Sequence, residues 1–176
     1  VERVLDSYQD VIDDLDVDVV YNPLANALHA PWNLAAIAAG KPVLTEKPFA
    51  RDRAEAAKVA AAAEAAGVPV MEGFHYLFHP VMRRALELAG DGTLGELARI
   101  EVAMGMPEPA PGDPRWSLDM AGGALMDLGC YALHIMRRFG TPRVVSATAV
   151  ERAPGVDERF DAEFVFDSGA TASTTN

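Results

Sequence analysis

Hydrophobic positions follow one rhythm up to about residue 78 and another beyond it. Val11, Ile12 and Leu15 behind a capping Ser7 predict a short amphipathic helix over Ser7 to Leu15. Val17 to Tyr21 is an apolar run broken only by Asp18 and stopped by Asn22-Pro23, the pattern of a buried strand entering a loop. A helix is expected over Pro31 to Ala39, closed by Gly40, and a short strand at Val43-Leu44-Thr45. Arg51 to Ala66 carries nine alanines and ends at Gly67, which predicts a strong helix, and Val68 to Glu72 reads as the next strand. Strands that alternate with crossover helices pair in parallel, so this part reads as a doubly wound α/β sheet.

Beyond residue 78 the expected elements are a helix over Val81 to Ala89, a strand over Ala98 to Met104 and a loop over Pro107 to Pro114, which holds four of the twelve prolines. A long helix at 122–139 follows, with strands at 143–150 and 160–166 and a hairpin turn at Asp167-Ser168-Gly169 into a last strand. The expected fold is therefore the C-terminal part of a Rossmann-type parallel sheet (1–78), then an α+β domain with a mostly antiparallel, incomplete sheet (79–176). Val1 at the start and ATASTTN at the end suggest a fragment of a longer enzyme, inactive by itself.

Composition narrows the function. The 176 residues are 50% hydrophobic and carry a net charge of −11, a globular and strongly acidic chain. Such a surface repels phosphate backbones and anionic lipid, so neither nucleic acid nor membrane is an expected partner. Cys130 is the one cysteine, which excludes an internal disulfide and suits a reducing cytoplasm.

Three clusters can carry chemistry. Asn22-Pro23, Asn26 and His29 follow a strand's carboxyl end, where ligands of open α/β sheets bind; an Asn-Pro turn with a helix-capping Asn or His explains the same residues. Thr45-Glu46-Lys47-Pro48 ends the next strand and offers an ammonium that lowers a substrate hydroxyl's pKa, or else a surface Glu-Lys pair before a proline turn. In the third, Asp127, Tyr131 and His134 fall at i, i+4 and i+7 behind Gly122-Gly123, an acid, a phenol and an imidazole on one helical face. The competing explanation is a polar face with a buried, satisfied histidine. His75 and His79 lack a third ligand at recognisable spacing, so no metal site is expected.

The stretches VDVVYNPLANALH (17–29), AAIAAGKPVLTEKPFA (35–50), VPVMEGFHYLFHP (68–80) and AGGALMDLGCY (121–131) together resemble the Gfo/Idh/MocA oxidoreductase family. They look most like its branch of glucose-fructose oxidoreductase, xylose dehydrogenase and dimeric dihydrodiol dehydrogenase. The resemblance implies NAD or NADP as cofactor and hydride transfer to or from a carbinol of a sugar, polyol or cyclic diol. It implies catalytic roles for Lys47, Tyr131 and Asp127, a substrate contact for His134, cofactor contacts for Asn22, Pro23, Asn26, His29, Glu46 and Lys47, and a cis Lys47-Pro48 peptide. A homo-oligomer formed through the C-terminal sheet is also expected. Leu77 stands where relatives often have Arg, and Ala121 where the glycine triplet begins. The family's G-x-G-x-x-G loop does not occur in the chain. A non-catalytic remnant used for ligand binding or subunit association is the alternative reading.

Overall fold

The computed structural model describes residues 3–176, which form two compact units. The first contains everything up to Gly73 together with Asp119–Ala121; the second contains Phe74–Leu118 and Gly122–Asn176.

In the first unit, α1 (Tyr8–Asp13) begins where the Ser7 side chain accepts the Asp10 N–H. Three short strands, β1 (Val20–Asn22), β2 (Val43–Thr45) and β3 (Val70–Glu72), pair in parallel in the order β1-β2-β3. Between them run α2 (Asn26–Ala38) and α3 (Arg53–Ala66). Asp52 caps α3 by accepting the Glu55 N–H, and Gly67 closes it with a left-handed φ of 65°. Ile12, Val20, Ile37, Val43 and Val59 share one core, each side chain contributing about 1.5–3 kcal/mol by leaving water. The other sheet face is open: Tyr21, Leu44 and Met71, neighbours in register, are 55%, 37% and 48% exposed.

Helix α2 starts five residues before the expected position. Pro31 invites placement in a first turn because it lacks an N–H, yet it lies inside the helix. The carbonyl it leaves without a helical donor, that of Ala27, faces the Arg51 guanidinium at 3.5 Å. The helix N-terminus has no side-chain cap of its own. Instead the Met120 carbonyl accepts the Ala27 N–H at 3.2 Å and the Ala121 carbonyl accepts Asn26 Nδ2 at 2.8 Å.

The second unit opens with a 3-10 turn (His75–Phe78) and α4 (Pro80–Gly90). Its sheet contains β4 (Arg99–Ala103), β5 (Arg143–Ala153), β6 (Val156–Val165) and β7 (Thr171–Thr175) in the order β4-β7-β6-β5. β5-β6 and β6-β7 are antiparallel and β4-β7 is parallel. The β5-β6 hairpin is tighter than expected because Pro154-Gly155, with φ 75° at the glycine, makes the turn and both strands extend to meet it. The expected helix at 122–139 is three pieces: a π-helical turn (Leu125–Gly129), α5 (Cys130–Met136) and a 3-10 turn (Arg137–Phe139). Met136 packs with Phe164 and Phe166 in the core of this unit. β5 is exposed along its length, Val144 and Val145 each by 64%.

Candidate active site

In the first unit the carboxyl ends of the parallel strands bring the loop after β1, the E-K-P loop after β2 and Glu72 together. Asn22 ends β1 and is buried. Its Nδ2 donates to Asn33 Oδ1 at 2.8 Å and to the His29 carbonyl at 3.2 Å, so its side chain ties the β1 loop to α2. Its own carbonyl accepts the Glu46 N–H at 2.9 Å, joining the first two strand ends. Pro23 follows directly in the loop. Asn26 holds the Ala121 carbonyl, the backbone stretch that leads into Gly122.

His29 is fully buried, and both ring nitrogens face backbone carbonyls: Nδ1 lies 2.6 Å from Pro48 O and Nε2 2.8 Å from Leu24 O. With both nitrogens engaged, the ring has no polar atom left for a cofactor in this arrangement. Glu46 is held by the Tyr21 hydroxyl, which donates to Oε1 at 2.8 Å, and by the Lys47 N–H at 3.3 Å. The hydrogen bond that the neutral phenol donates to that carboxylate pushes Tyr21 above its ordinary value, since ionising it would break the bond and place two negative charges together. The Lys47-Pro48 peptide is cis. On the far side of the loop, Phe49 N–H donates to Glu72 Oε1 at 2.7 Å, and burial raises the Glu72 carboxyl above its usual range. Lys47 is therefore carried on a loop fixed at Pro48 and at Phe49.

In the second unit, Gly122 and Gly123 form the entrance to the π-helical turn. A Cβ on Gly122 would collide with the Arg115 carbonyl, and one on Gly123 with the Asp157 carboxylate. Asp157 Oδ2 accepts the Leu125 N–H at 2.8 Å and so anchors the segment that bears Asp127 and Tyr131. The π turn alters the helical spacing, because its i→i+5 bonding adds a residue to the turn. Asp127 and Leu128 accordingly line a cleft of ≈ 340 Å³ with Trp116, Arg115, Arg152 and Glu108. Tyr131 and His134 join an aromatic cluster with Phe74 and Tyr76.

In that cluster His134 stacks on Phe74 at 3.8 Å between ring centroids, and its Nδ1 lies 2.7 Å from the Tyr76 hydroxyl. Burial, with Arg138 and Arg137 nearby, depresses the imidazole's pKa, while burial pushes the Tyr76 phenol up to about 12. Both groups are neutral at pH 7, so the phenol O–H can donate to Nδ1 in the tautomer that leaves that nitrogen bare. Tyr131 meets Phe74 edge-on at 5.3 Å. In the cleft, the Arg152 guanidinium lies 4.4 Å from the Trp116 ring centre and pairs with Glu108 at 2.5 Å. No group of three or more His, Cys, Asp or Glu suited to a metal occurs among the described residues.

Tyr76, Glu72, Asn33 and Asp157 hold the site in shape without having been singled out by sequence. Tyr76 and Glu72 lie inside the stretch VPVMEGFHYLFHP, where a phenol and an acid just past a strand were available signals. Asp157 follows a hairpin turn and had none.

Family comparisons agree with this architecture. Residues 1–74 match the oxidoreductase family with NAD-binding Rossmann fold, and residues 82–176 match the GFO/IDH/MocA C-terminal domain. The chain is 44% identical over 170 residues to D-xylose 1-dehydrogenase (NADP(+)) 2 of Haloferax volcanii, covering 94% of this chain and 52% of that protein. KijD10, a 3-ketoreductase from Actinomadura kijaniata solved with NADP and TDP-benzene, superposes with a TM-score of 0.90 at 34% identity, over 97% of this chain and 54% of that one. Aldose-aldose oxidoreductase from Caulobacter crescentus, solved with glycerol, gives a TM-score of 0.89 at 33% identity, over 96% and 53%. The chain spans about half the length of the curated relatives it matches. With both halves matched in order and the E-K-P loop and D-x-G-x-Y segment built as described, this chain belongs to the GFO/IDH/MocA oxidoreductase family.

Proposed function

We propose that this chain carries the reacting side chains of an NAD(P)-dependent oxidoreductase that moves a hydride between the nicotinamide and a carbinol or carbonyl of a sugar, polyol or cyclic diol. The observation that carries the reading is Lys47, on a doubly pinned loop at the carboxyl end of a parallel sheet, the edge where open α/β folds bind ligands.

The donor set suits the nicotinamide half of a dinucleotide: one ammonium, polar loop backbone after β1, and Asn26 and Glu46 at the rim. Of the residues expected to touch the cofactor, Pro23, Asn26, Glu46 and Lys47 keep that role, whereas Asn22 and His29 hold the loops that present them. When bound, the nicotinamide supplies the hydride acceptor or donor.

Tyr131 moves the hydroxyl proton. A free phenol ionises near pKa about 10, so a tyrosine acting as base near neutrality needs a cation that favours its ionised form. Tyr76 is the poorer base, because its pKa is pushed up to about 12 and its hydroxyl is shared with His134. Asp127 orients the substrate. His134 then supports the ring wall beside Tyr131, which replaces a direct substrate contact as its main role. The face that includes Val144 and Val145 suits a second copy of the protein, and the cytoplasm suits its single thiol.

The test is a screen of the complete enzyme with NAD and NADP against pentoses, hexoses, inositols and dihydrodiols, repeated for Tyr131→Phe and Lys47→Ala. Loss of a positioned acid-base group lowers turnover roughly 10²- to 10⁴-fold. Near wild-type turnover in Tyr131→Phe would move the proton to another group.

A further inference from the structure

The cleft of ≈ 340 Å³ lies wholly within the second unit, and the charges along it restrict what it can hold. Three guanidiniums line it, and each is already matched by a carboxylate. Arg115 makes a side-on pair with Asp113 at 3.0 and 3.2 Å, Arg152 pairs with Glu108 at 2.5 Å, and Arg159 pairs with Asp161 at 2.7 and 3.1 Å. Asp127 and Glu158 line the cleft as well, so carboxylates outnumber guanidiniums in and beside it. Phosphate is recognised by guanidinium forks open to the anion's oxygens. Here the forks are committed to carboxylates, and an entering phosphate would meet an excess of negative charge.

Uncharged hydroxyls meet the opposite situation. An ionised carboxylate only accepts, so Asp127 and Glu158 suit O–H donors. Asn176 is buried and also lines the cleft; its Nδ2 donates to Thr174 Oγ1 at 2.8 Å, while its Oδ1 has no donor among the described residues. Buried acceptors are rarely left in that state, and a ligand hydroxyl supplies the hydrogen. Trp116 offers a flat apolar surface to the C–H side of a sugar ring. Its indole is fixed by Nε1, which donates to the Pro109 carbonyl at 3.1 Å, and by the Arg152 guanidinium 4.4 Å from its centre. An aromatic wall with a few placed polar groups is the make-up of small-molecule clefts, and ≈ 340 Å³ is near the small end of their range of about 300–1,000 Å³. We propose that the cleft takes an unphosphorylated, uncharged sugar or polyol, its ring against Trp116 and its hydroxyls on Asp127, Glu158 and Asn176, and turns away sugar phosphates and nucleoside-diphosphate sugars. This names the substrate class within the function proposed above, and it rests on that reading where Asp127 orients the substrate.

Calorimetry on the complete enzyme carrying Tyr131→Phe, saturated with whichever of NAD and NADP it binds, measures affinity without turnover. D-xylose or D-glucose should bind roughly tenfold or more tightly than D-glucose 1-phosphate and TDP-glucose. Equal affinities, tighter binding of either phosphorylated probe, or no binding of either free sugar would overturn the proposal. Glu108→Gln uncovers Arg152 and should narrow the ratio roughly threefold or more; an unmoved ratio overturns the charge argument. Trp116→Leu should weaken the free-sugar Kd roughly fivefold or more, with the cofactor Kd within about twofold of the parent. An unchanged sugar Kd would show that the indole is no platform and overturn its assignment. Should Trp116→Leu fail to fold, the parent ratio and Glu108→Gln, at a side chain that is 70% exposed, still decide the matter. If Lys47→Ala retains turnover, the hydride-transfer reading fails while these affinities still test the cleft.

Discussion

Replacing Gly123 with Ala sets a small methyl group against a strained backbone and a working carboxylate at once. Gly123 has φ 110°, which costs an L-residue about 1–3 kcal/mol. Its Cβ would overlap Asp157 Oδ1 and lie 3.3 Å from Asp157 Cγ, so the carboxylate must swing away. In moving, it releases the Leu125 N–H that it now accepts at 2.8 Å, a bond to a charged group of about 1.5–3 kcal/mol. The sum predicts a destabilisation of roughly 2.5–6 kcal/mol. Urea unfolding followed by Trp116 fluorescence, in a background with Trp32→Phe, reads the unit in which both residues lie. In an Asp157→Ala background the methyl has nothing to displace, so Gly123→Ala should cost only the strain, about 1–3 kcal/mol. A loss below about 1 kcal/mol in the parent, or equal losses in the two backgrounds, would refute the account.

Ala121 has φ 55°, a left-handed conformation that costs an ordinary residue about 1–2 kcal/mol, so Ala121→Gly should raise stability by about 0.5–1 kcal/mol after the glycine's extra unfolded-state entropy, read as a higher Tm. His134's depressed pKa means that the unfolded chain takes up the proton first on acidification. Stability should therefore fall as pH drops below the ordinary value of 6.5 toward the folded one, and His134→Gln should flatten this part of a Tm-against-pH curve. For Tyr76, held neutral up to about 12 against an ordinary 10.0, stability should fall as pH rises between these values, with the 295 nm tyrosinate signal of that ring appearing late and Tyr76→Phe removing it. The bare row Tyr21, Leu44 and Met71 should bind an apolar fluorescent dye when this chain is prepared alone, and Leu44→Thr with Met71→Glu should reduce the emission severalfold.

The alternation of strands and helices was legible because each buried strand is a short apolar run and each helix ends on a glycine or begins on a polar cap. Where reading failed, long-range contacts decided. Pro31 is a good first-turn residue by propensity, but the segment that caps α2 at Asn26 and Ala27 comes from Met120–Ala121, far along the chain. The residues at 125–129 have ordinary helical character, and the π turn they form begins at the Leu125 N–H that Asp157 holds. Motifs marked Lys47, Tyr131 and Asp127 as side chains worth placing, since those types at those positions are rare. They could not assign His29, whose partners are backbone oxygens and carry no signature in sequence.

The cap on α2 also has a temporal side. A ribosome delivers residues in order, at about 5–20 per second, so α2 is complete in sequence well before Met120 and Ala121 emerge. For a period on the order of seconds its first turn must rely on water, while β1, β2 and β3 already have one another as neighbours. A nascent chain arrested when Gly73 has just left the ribosome should therefore show amide protection in α3 and fraying at Asn26 to Leu28, and protection of that turn should appear only in longer arrested chains that expose residue 121.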